Sequence, residues 1–200
     1  MPTIESDKNK NIWIPRGIWA LALISGLVLP PGQTISAWQS LMQEIDRVDD
    51  EFDKAPDRQK VITSTLERLE TNPPEFLGSC STRHKDQFKK LLIEQFNISH
   101  SLSAASDPAR YAELSLEDGA FLTNFFILLI PETYSRKHPK SVIRFQKRLA
   151  WIAGVYNLRD NMKDLDEDRK NGEIAVTNLD ATRKALQSRL RQQFIRSSTL

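Results

Sequence analysis

The chain has 200 residues, an ordinary apolar fraction of 40% and a formal net charge of only +2. This length is enough for one domain with a hydrophobic core, and so weak a charge argues against nucleic acid as a partner. The single cysteine, Cys80, excludes an internal disulfide framework and a thiolate zinc site. One thiol fits a reducing compartment, and we expect a cytoplasmic protein.

The N-terminal segment allows two interpretations. Residues 1–13 are polar and predict a flexible tail ahead of a helical domain at 14–200. An apolar run at 18–29 follows several basic residues, as in a signal peptide, but a bilayer span takes about 20 residues. We favour a buried first helix over 16–29, ended by a Pro-Pro-Gly sequence. Export through a signal-like segment at 16–37 is the alternative.

Helical periodicity recurs along the chain, and no stretch alternates as a β-strand does. Thr34 or Ser36 can cap a long helix that continues to about residue 54. Its apolar stripe consists of Ile35, Trp38, Leu41, Ile45, Val48 and Phe52. A second helix ends before Pro73-Pro74, and a loop is expected at 75–81.

Proline and glycine signals divide the second half of the chain. We expect a helix at about 82–97 and then a connection over 98–114. Ser115 with Asp118 forms a capping-box signature before an apolar run that Pro131 ends. The last two helices are predicted from Pro139 to Asn171, ended by Gly172, and at about 178–196. The prediction is therefore an all-α, single-domain helical bundle.

Two groups of aspartates are unusual in this pattern. The first is Asp49, Asp50 and Asp53, at the end of the 34–54 helix. A turn of about 100° per residue places Asp49 inside the apolar stripe, where an unpaired carboxylate is costly.

The second group is Asp160, Asp164 and Asp168, at i, i+4 and i+8 of the 139–171 helix. The stripe that leads to these acids is Val142, Phe145, Leu149, Ile152 and Tyr156. The opposite flank stays apolar through Trp151, Val155, Leu158, Met162 and Leu165. We therefore expect one side of this helix end to be covered while the acids project from the other.

Acids spaced in this way repel one another and need cations. Magnesium suits them, because it is held by a few carboxylates, waters and phosphate oxygens. Such ions would neutralise a diphosphate, with contacts from Arg47, Arg159 and Lys163, while an apolar interior accepts an isoprenoid tail. The alternative is two charged helix ends with weak surface ion pairs.

The two motifs together resemble the squalene/phytoene synthase family. In that family a Leu-Pro precedes an Asp-Asp-x-x-Asp cluster by some 20 residues, and here Leu29-Pro30 precedes Asp49-Asp50-Glu51-Phe52-Asp53. The family's second signature is similar to the segment from Asn157 to Asp168, which is followed by Gly172.

The resemblance implies a class I isoprenoid-synthase fold with a central cavity and a Mg²⁺-dependent prenyl synthase or transferase. It implies a prenyl diphosphate substrate that reacts by ionisation of its diphosphate. By position, the catalytic metal ligands would be Asp49, Asp53, Asp164 and Asp168, with Asp50 and Asp160 as further ligands. The alternative is a non-catalytic helical protein that kept the fold and binds a prenyl lipid or another protein. Peripheral membrane contact and a homodimer stay open.

Overall fold

The structure is a computed structural model that describes residues 4–55, 58–78 and 80–197, with side chains described at 14–52, 55, 59–78 and 80–195. All regular secondary structure in these residues is helical, which confirms the predicted all-α class. The helices are α1 Ile4–Ile24, α2 Pro31–Lys54, α3 Arg58–Thr71, α4 Glu75–Gly78, α5 Thr82–Ala104, α6 Pro108–Leu128, α7 Glu132–Lys137, α8 Pro139–Asn171 and α9 Leu179–Ser197. None of the described helices has the length and apolarity needed to cross a membrane.

The chain folds into two compact units, each built from two separate stretches of sequence. Unit 1 comprises Met1–Leu91 and Asn124–Lys147, and unit 2 comprises Leu92–Thr123 and Arg148–Leu200. Three helices, α5, α6 and α8, therefore contribute residues to both units.

Unit 1 has an aromatic core centred on Trp38, which is fully buried on the predicted stripe of α2. Its ring stacks on Phe145 and meets Phe126 edge-on, with both centroid distances at 6.0 Å. The indole Nε1 donates a hydrogen bond to the backbone oxygen of Phe126 at 3.1 Å. That oxygen lies in the last turn of α6, where carbonyls lack partners within the helix.

The first helix differs from its prediction at both ends. It already begins at Ile4, within the segment predicted as a tail, and it ends at Ile24 rather than near residue 29. Gly26 has φ +81°, a backbone conformation that favours glycine and stops the helix. Leu27 and Leu29 are still buried, but as part of the turn between α1 and α2.

The α2 helix begins earlier than Thr34 or Ser36, and it has no side-chain cap. It starts at Pro31, because a proline at the first helical position has no N–H to satisfy. The predicted end at residue 54 is confirmed. Two further short helices were not predicted: α4, where a loop was expected at 75–81, and α7 after Pro131.

The predicted connection at 98–114 is mostly helical, because α5 continues to Ala104 and α6 begins at Pro108. The Asp107 carboxylate accepts a hydrogen bond from the backbone N–H of Arg110 at 2.7 Å and caps α6. The predicted capping box is therefore wrong. Ser115 is fully buried inside α6, and its hydroxyl donates to the Tyr111 carbonyl oxygen at 2.8 Å.

Unit 2 has its own core, formed by α6, α8, α9 and the segments between α5 and α6 and between α8 and α9. Its members are Ala105, Tyr111, Ala112, Leu114, Leu158, Leu165, Ile174, Val176 and Leu186. The α8 helix has the predicted bounds, and Gly172 with φ +76° ends it as expected. The α9 helix, Leu179–Ser197, also lies where the amphipathic pattern predicted it.

Two glycines let α6 and α8 approach closely in unit 2. A Cβ atom on Gly119 would lie 2.6 Å from the backbone oxygen of Ala153 and 2.6 Å from Asn157 Cβ. A Cβ atom on Gly154 would lie 2.7 Å from Leu116 Cδ1 and 3.0 Å from the Leu116 carbonyl oxygen. A larger residue at either position would push the two backbones apart.

Candidate functional site

The first aspartate group lies at the end of α2, in unit 1. Asp49 and Asp50 are exposed, although Val48 and Phe52 beside them are buried. Asp49 follows Ile45 of the predicted stripe by one turn, but the residue is exposed. The prediction that Asp49 lies on the core face is therefore wrong. The Asp53 side chain lies outside the described residues.

Arg47, a predicted diphosphate contact, is engaged by neighbouring carboxylates. Its guanidinium bonds Glu44 at 2.8 Å and 3.2 Å and Glu51 at 2.5 Å. Arg68 from α3 also bonds Glu44, at 2.5 Å. Burial raises the pKa of Glu44, although the charge and hydrogen bonds of Arg47 oppose this. A phosphate at Arg47 would have to compete with these contacts.

The second aspartate group lies on α8, in unit 2. Asp160 is exposed, while Asp164 and Asp168 are half-exposed. The predicted apolar flank is confirmed, because Leu158 and Leu165 are fully buried in the core of unit 2. The stripe predicted to lead to the acids is not covered over its later turns. Ile152 is 43% exposed and Tyr156 is 63% exposed.

The basic residues beside this group lie at the surface. Lys163 Nζ contacts Asp164 Oδ1 at 3.1 Å, and this contact raises the pKa of the exposed lysine. Arg159 is exposed. A phosphate at Lys163 would therefore have to compete with Asp164.

Four polar side chains follow one side of α8: Asn157, Asn161, Asp164 and Asp168, at i, i+4, i+7 and i+11. Among the described residues, the side-chain nitrogen of Asn161 is buried without a hydrogen-bond partner. Tyr111 is buried in unit 2, and burial together with the charges of Asp168 and Asp118 raises the pKa of its phenol. The acidic side of α8 therefore continues into a polar part of the unit 2 interior.

Sequence reasoning missed the centre of this polar region, which is Asp118 on α6. Its Oδ1 accepts hydrogen bonds from Ser99 at 2.6 Å and Gln95 at 2.7 Å, and its Oδ2 accepts one from Asn157 at 3.2 Å. Asn157 also donates to the backbone oxygen of Ser115 at 2.8 Å. Burial raises the pKa of Asp118, while the three hydrogen bonds oppose this rise. The sequence signal for this buried carboxylate is the position of Asp118 close to the apolar run of α6.

The two aspartate groups thus lie in different units, the first in unit 1 and the second in unit 2. Within the ranges it describes, no three His, Cys, Asp or Glu side chains come close enough to hold one metal ion. Unit 1 has a cavity of about 610 Å³ between the start of α2, α4, the start of α5 and the segment 128–132. None of the predicted site residues lines this cavity.

Comparison with known proteins identifies no relative, since no protein-family model, no curated protein and no solved structure matches this chain. The resemblance to the squalene/phytoene synthase family therefore stays a prediction that rests on the two aspartate motifs.

Proposed function

We propose that the chain binds Mg²⁺ and the diphosphate of an isoprenoid substrate at the acidic side of α8, with Asp164 and Asp168 as metal ligands. The observation that carries the proposal is the polar stripe of Asn157, Asn161, Asp164 and Asp168 beside an apolar core. The side-chain nitrogen of Asn161, buried there without a hydrogen-bond partner, is costly unless a polar ligand joins it.

The donor set fits magnesium. Two carboxylates one helical turn apart can hold a hard ion that keeps several waters and takes its remaining ligands from phosphate. Lys163 and Arg159 would add charge to the outer side of the diphosphate, and Asp160 would extend the acidic row. At the end of α2, we propose Asp49, Asp50 and Asp53 as further metal ligands. Arg47 would have to leave Glu44 or Glu51 to contact phosphate there.

The proposed reaction is ionisation of a prenyl diphosphate. The bond between the allylic carbon and the diphosphate oxygen breaks, both electrons leave with the diphosphate, and the carbon chain becomes a cation that is coupled, cyclised or quenched. A cation held by Asp164 and Asp168 would supply electrostatic stabilisation of the departing diphosphate. The contribution of this chain is to hold the ion through its carboxylates and to place the isoprenoid tail against apolar surface.

The test is release of pyrophosphate from farnesyl or geranylgeranyl diphosphate by the purified chain, with and without Mg²⁺. Magnesium-dependent release that is lost in Asp164→Asn and Asp168→Asn supports the proposal. Equal release by these variants and the parent chain would contradict the assignment.

A second candidate is a non-catalytic helical protein that binds a prenyl lipid or another protein. It is favoured by the contacts of the predicted phosphate ligands, because Arg47 and Lys163 are both paired with carboxylates. Thermal protection of the chain by a prenyl diphosphate without any turnover would support a binding protein of this kind.

A further inference from the structure

A basic face on α7 and the first turns of α8 has no part in the proposed function. Between Glu132 and Asp160 the sequence contains no acidic residue. Four cations of this stretch define the basic face, and all four are exposed: Lys137, Lys140, Arg144 and Lys147. They belong to unit 1.

The arrangement of these cations follows from helix geometry. Lys140, Arg144 and Lys147 lie at i, i+4 and i+7 of α8 and therefore share one side of the helix. The other side is packed, since Phe145 is fully buried. In the described part of the chain, no carboxylate pairs with any cation of the basic face, whereas Arg47, Lys89 and Arg183 all have carboxylate partners.

Exposed aliphatic side chains accompany the basic face. Ile24 is 72% exposed and Val28 is 70% exposed, on either side of Gly26 in the turn between α1 and α2. A Cβ atom on Gly26 would lie 3.3 Å from Ser141 Oγ, so this turn lies against the first turn of α8. On α8 itself, Ile143 is 53% exposed. The turn that carries Ile24 and Val28 therefore adjoins the first turn of α8, and Ile143 directly precedes Arg144.

We propose that this surface binds an anionic lipid bilayer. The four cations would contact lipid phosphates and carboxylates, and Ile24, Val28 and Ile143 would enter the interfacial region. The charge of the face complements an anionic membrane. A nucleic acid would also satisfy the cations, but its phosphate backbone offers no apolar environment for the aliphatic groups. The inference is independent of the proposed diphosphate chemistry.

Vesicle sedimentation with the full chain tests the proposal. We expect binding to vesicles that contain phosphatidylserine, weak binding to pure phosphatidylcholine, and loss of binding as salt rises. Each cation near such a surface contributes about fivefold to the affinity. The double variant Lys140→Glu/Arg144→Glu should therefore need at least about tenfold more lipid for half-maximal binding. Ile24→Ser/Val28→Ser should weaken binding without changing its salt dependence.

The matched control is Lys184→Glu/Arg191→Glu, which changes two exposed cations of α9 and the net charge by the same amount. It should bind vesicles like the parent chain, and circular dichroism should show all variants folded. Equal losses in the control and in Lys140→Glu/Arg144→Glu would overturn the assignment. So would equal binding to neutral and anionic vesicles, or strong binding to duplex DNA or RNA in the absence of vesicle binding.

Discussion

Asn157 of α8 joins Asp118 of α6 through a hydrogen bond of 3.2 Å, while the same amide donates to the Ser115 carbonyl oxygen at 2.8 Å. This contact lies where Gly119 allows the α6 and α8 backbones to approach. A polar network of this kind fixes one relative register of two helices, because a shift of either helix would leave the carboxylate without its donors.

Replacement of Asp118 by alanine should destabilise unit 2. Ser99, Gln95 and Asn157 would lose their shared acceptor, and the expected loss is about 1–3 kcal/mol in the free energy of unfolding. Urea denaturation measures this loss. The exposed neighbour Glu117 provides the control, because Glu117→Ala should change stability by less than about 0.5 kcal/mol. Similar values for both variants would show that the network contributes little.

The raised pKa of Asp118 predicts a pH dependence. The folded protein binds the Asp118 proton more tightly than the unfolded chain. The stabilisation that comes from this proton is therefore complete below the pKa of the unfolded chain, and it is lost as pH rises through the pKa of the folded protein. The difference in unfolding free energy between the parent chain and Asp118→Asn should therefore favour the parent more at pH 4 than at pH 7. A difference that is constant over this range would contradict the assignment.

Gly119→Ala should be destabilising, because the added methyl group would lie 2.6 Å from a backbone oxygen that cannot move independently of α8. We expect a loss of about 1–3 kcal/mol, measured by thermal or urea unfolding. Gly17→Ala is the matched control. Gly17 lies inside α1 with open space around it, so alanine should stabilise the chain by up to about 1 kcal/mol. Losses of equal size in both variants would argue against a close helix crossing.

Trp38→Phe should destabilise unit 1 by about 1–3 kcal/mol. The Phe126 carbonyl oxygen would lose its hydrogen-bond donor in the last turn of α6, and the smaller ring would leave space in the core. Trp19→Phe removes a comparable hydrogen bond, to the Leu29 oxygen at 3.2 Å, from a less buried site. Trp19→Phe should therefore lose less unfolding free energy than Trp38→Phe. A larger loss in Trp19→Phe would be evidence against Trp38 as the centre of this core.

Magnesium with inorganic pyrophosphate should raise the melting temperature of the parent chain, because a ligand that binds only the folded state stabilises it. Asp168→Asn should reduce this rise, since it removes a proposed metal ligand. Glu167→Gln removes an equal charge from an exposed neighbour on α8 and should keep the effect. An undiminished rise in Asp168→Asn would remove Asp168 from the proposed site.

The long helices could be predicted because their signals are local. The stripe of α2, the Gly172 end of α8 and the amphipathic pattern of α9 all belong to single segments. The start of α6 was missed because Ser115 and Asp118 match a capping box in sequence. Only tertiary contacts show that Asp118 instead accepts hydrogen bonds from α5 and α8.

The candidate site was harder to predict, because the burial of its residues depends on tertiary contacts. Asp49 follows Ile45 by one turn but is exposed, and the helical period alone does not show where the buried part of a stripe ends. The flank of α8 was predictable because Leu158 and Leu165 are separated by about two helical turns and therefore share one side of the helix. The sequence showed no linker between the two units, because the chain passes from one unit to the other inside α5, α6 and α8.

This connectivity constrains how the polypeptide matures on the ribosome. The path passes from one unit to the other after Leu91, Thr123 and Lys147. A nascent chain that ends before Phe126 therefore lacks both of the rings that pack on Trp38. A truncation at any of these three positions would interrupt α5, α6 or α8. Nascent chains that end before Lys147 lack part of unit 1 and should consequently be protease-sensitive.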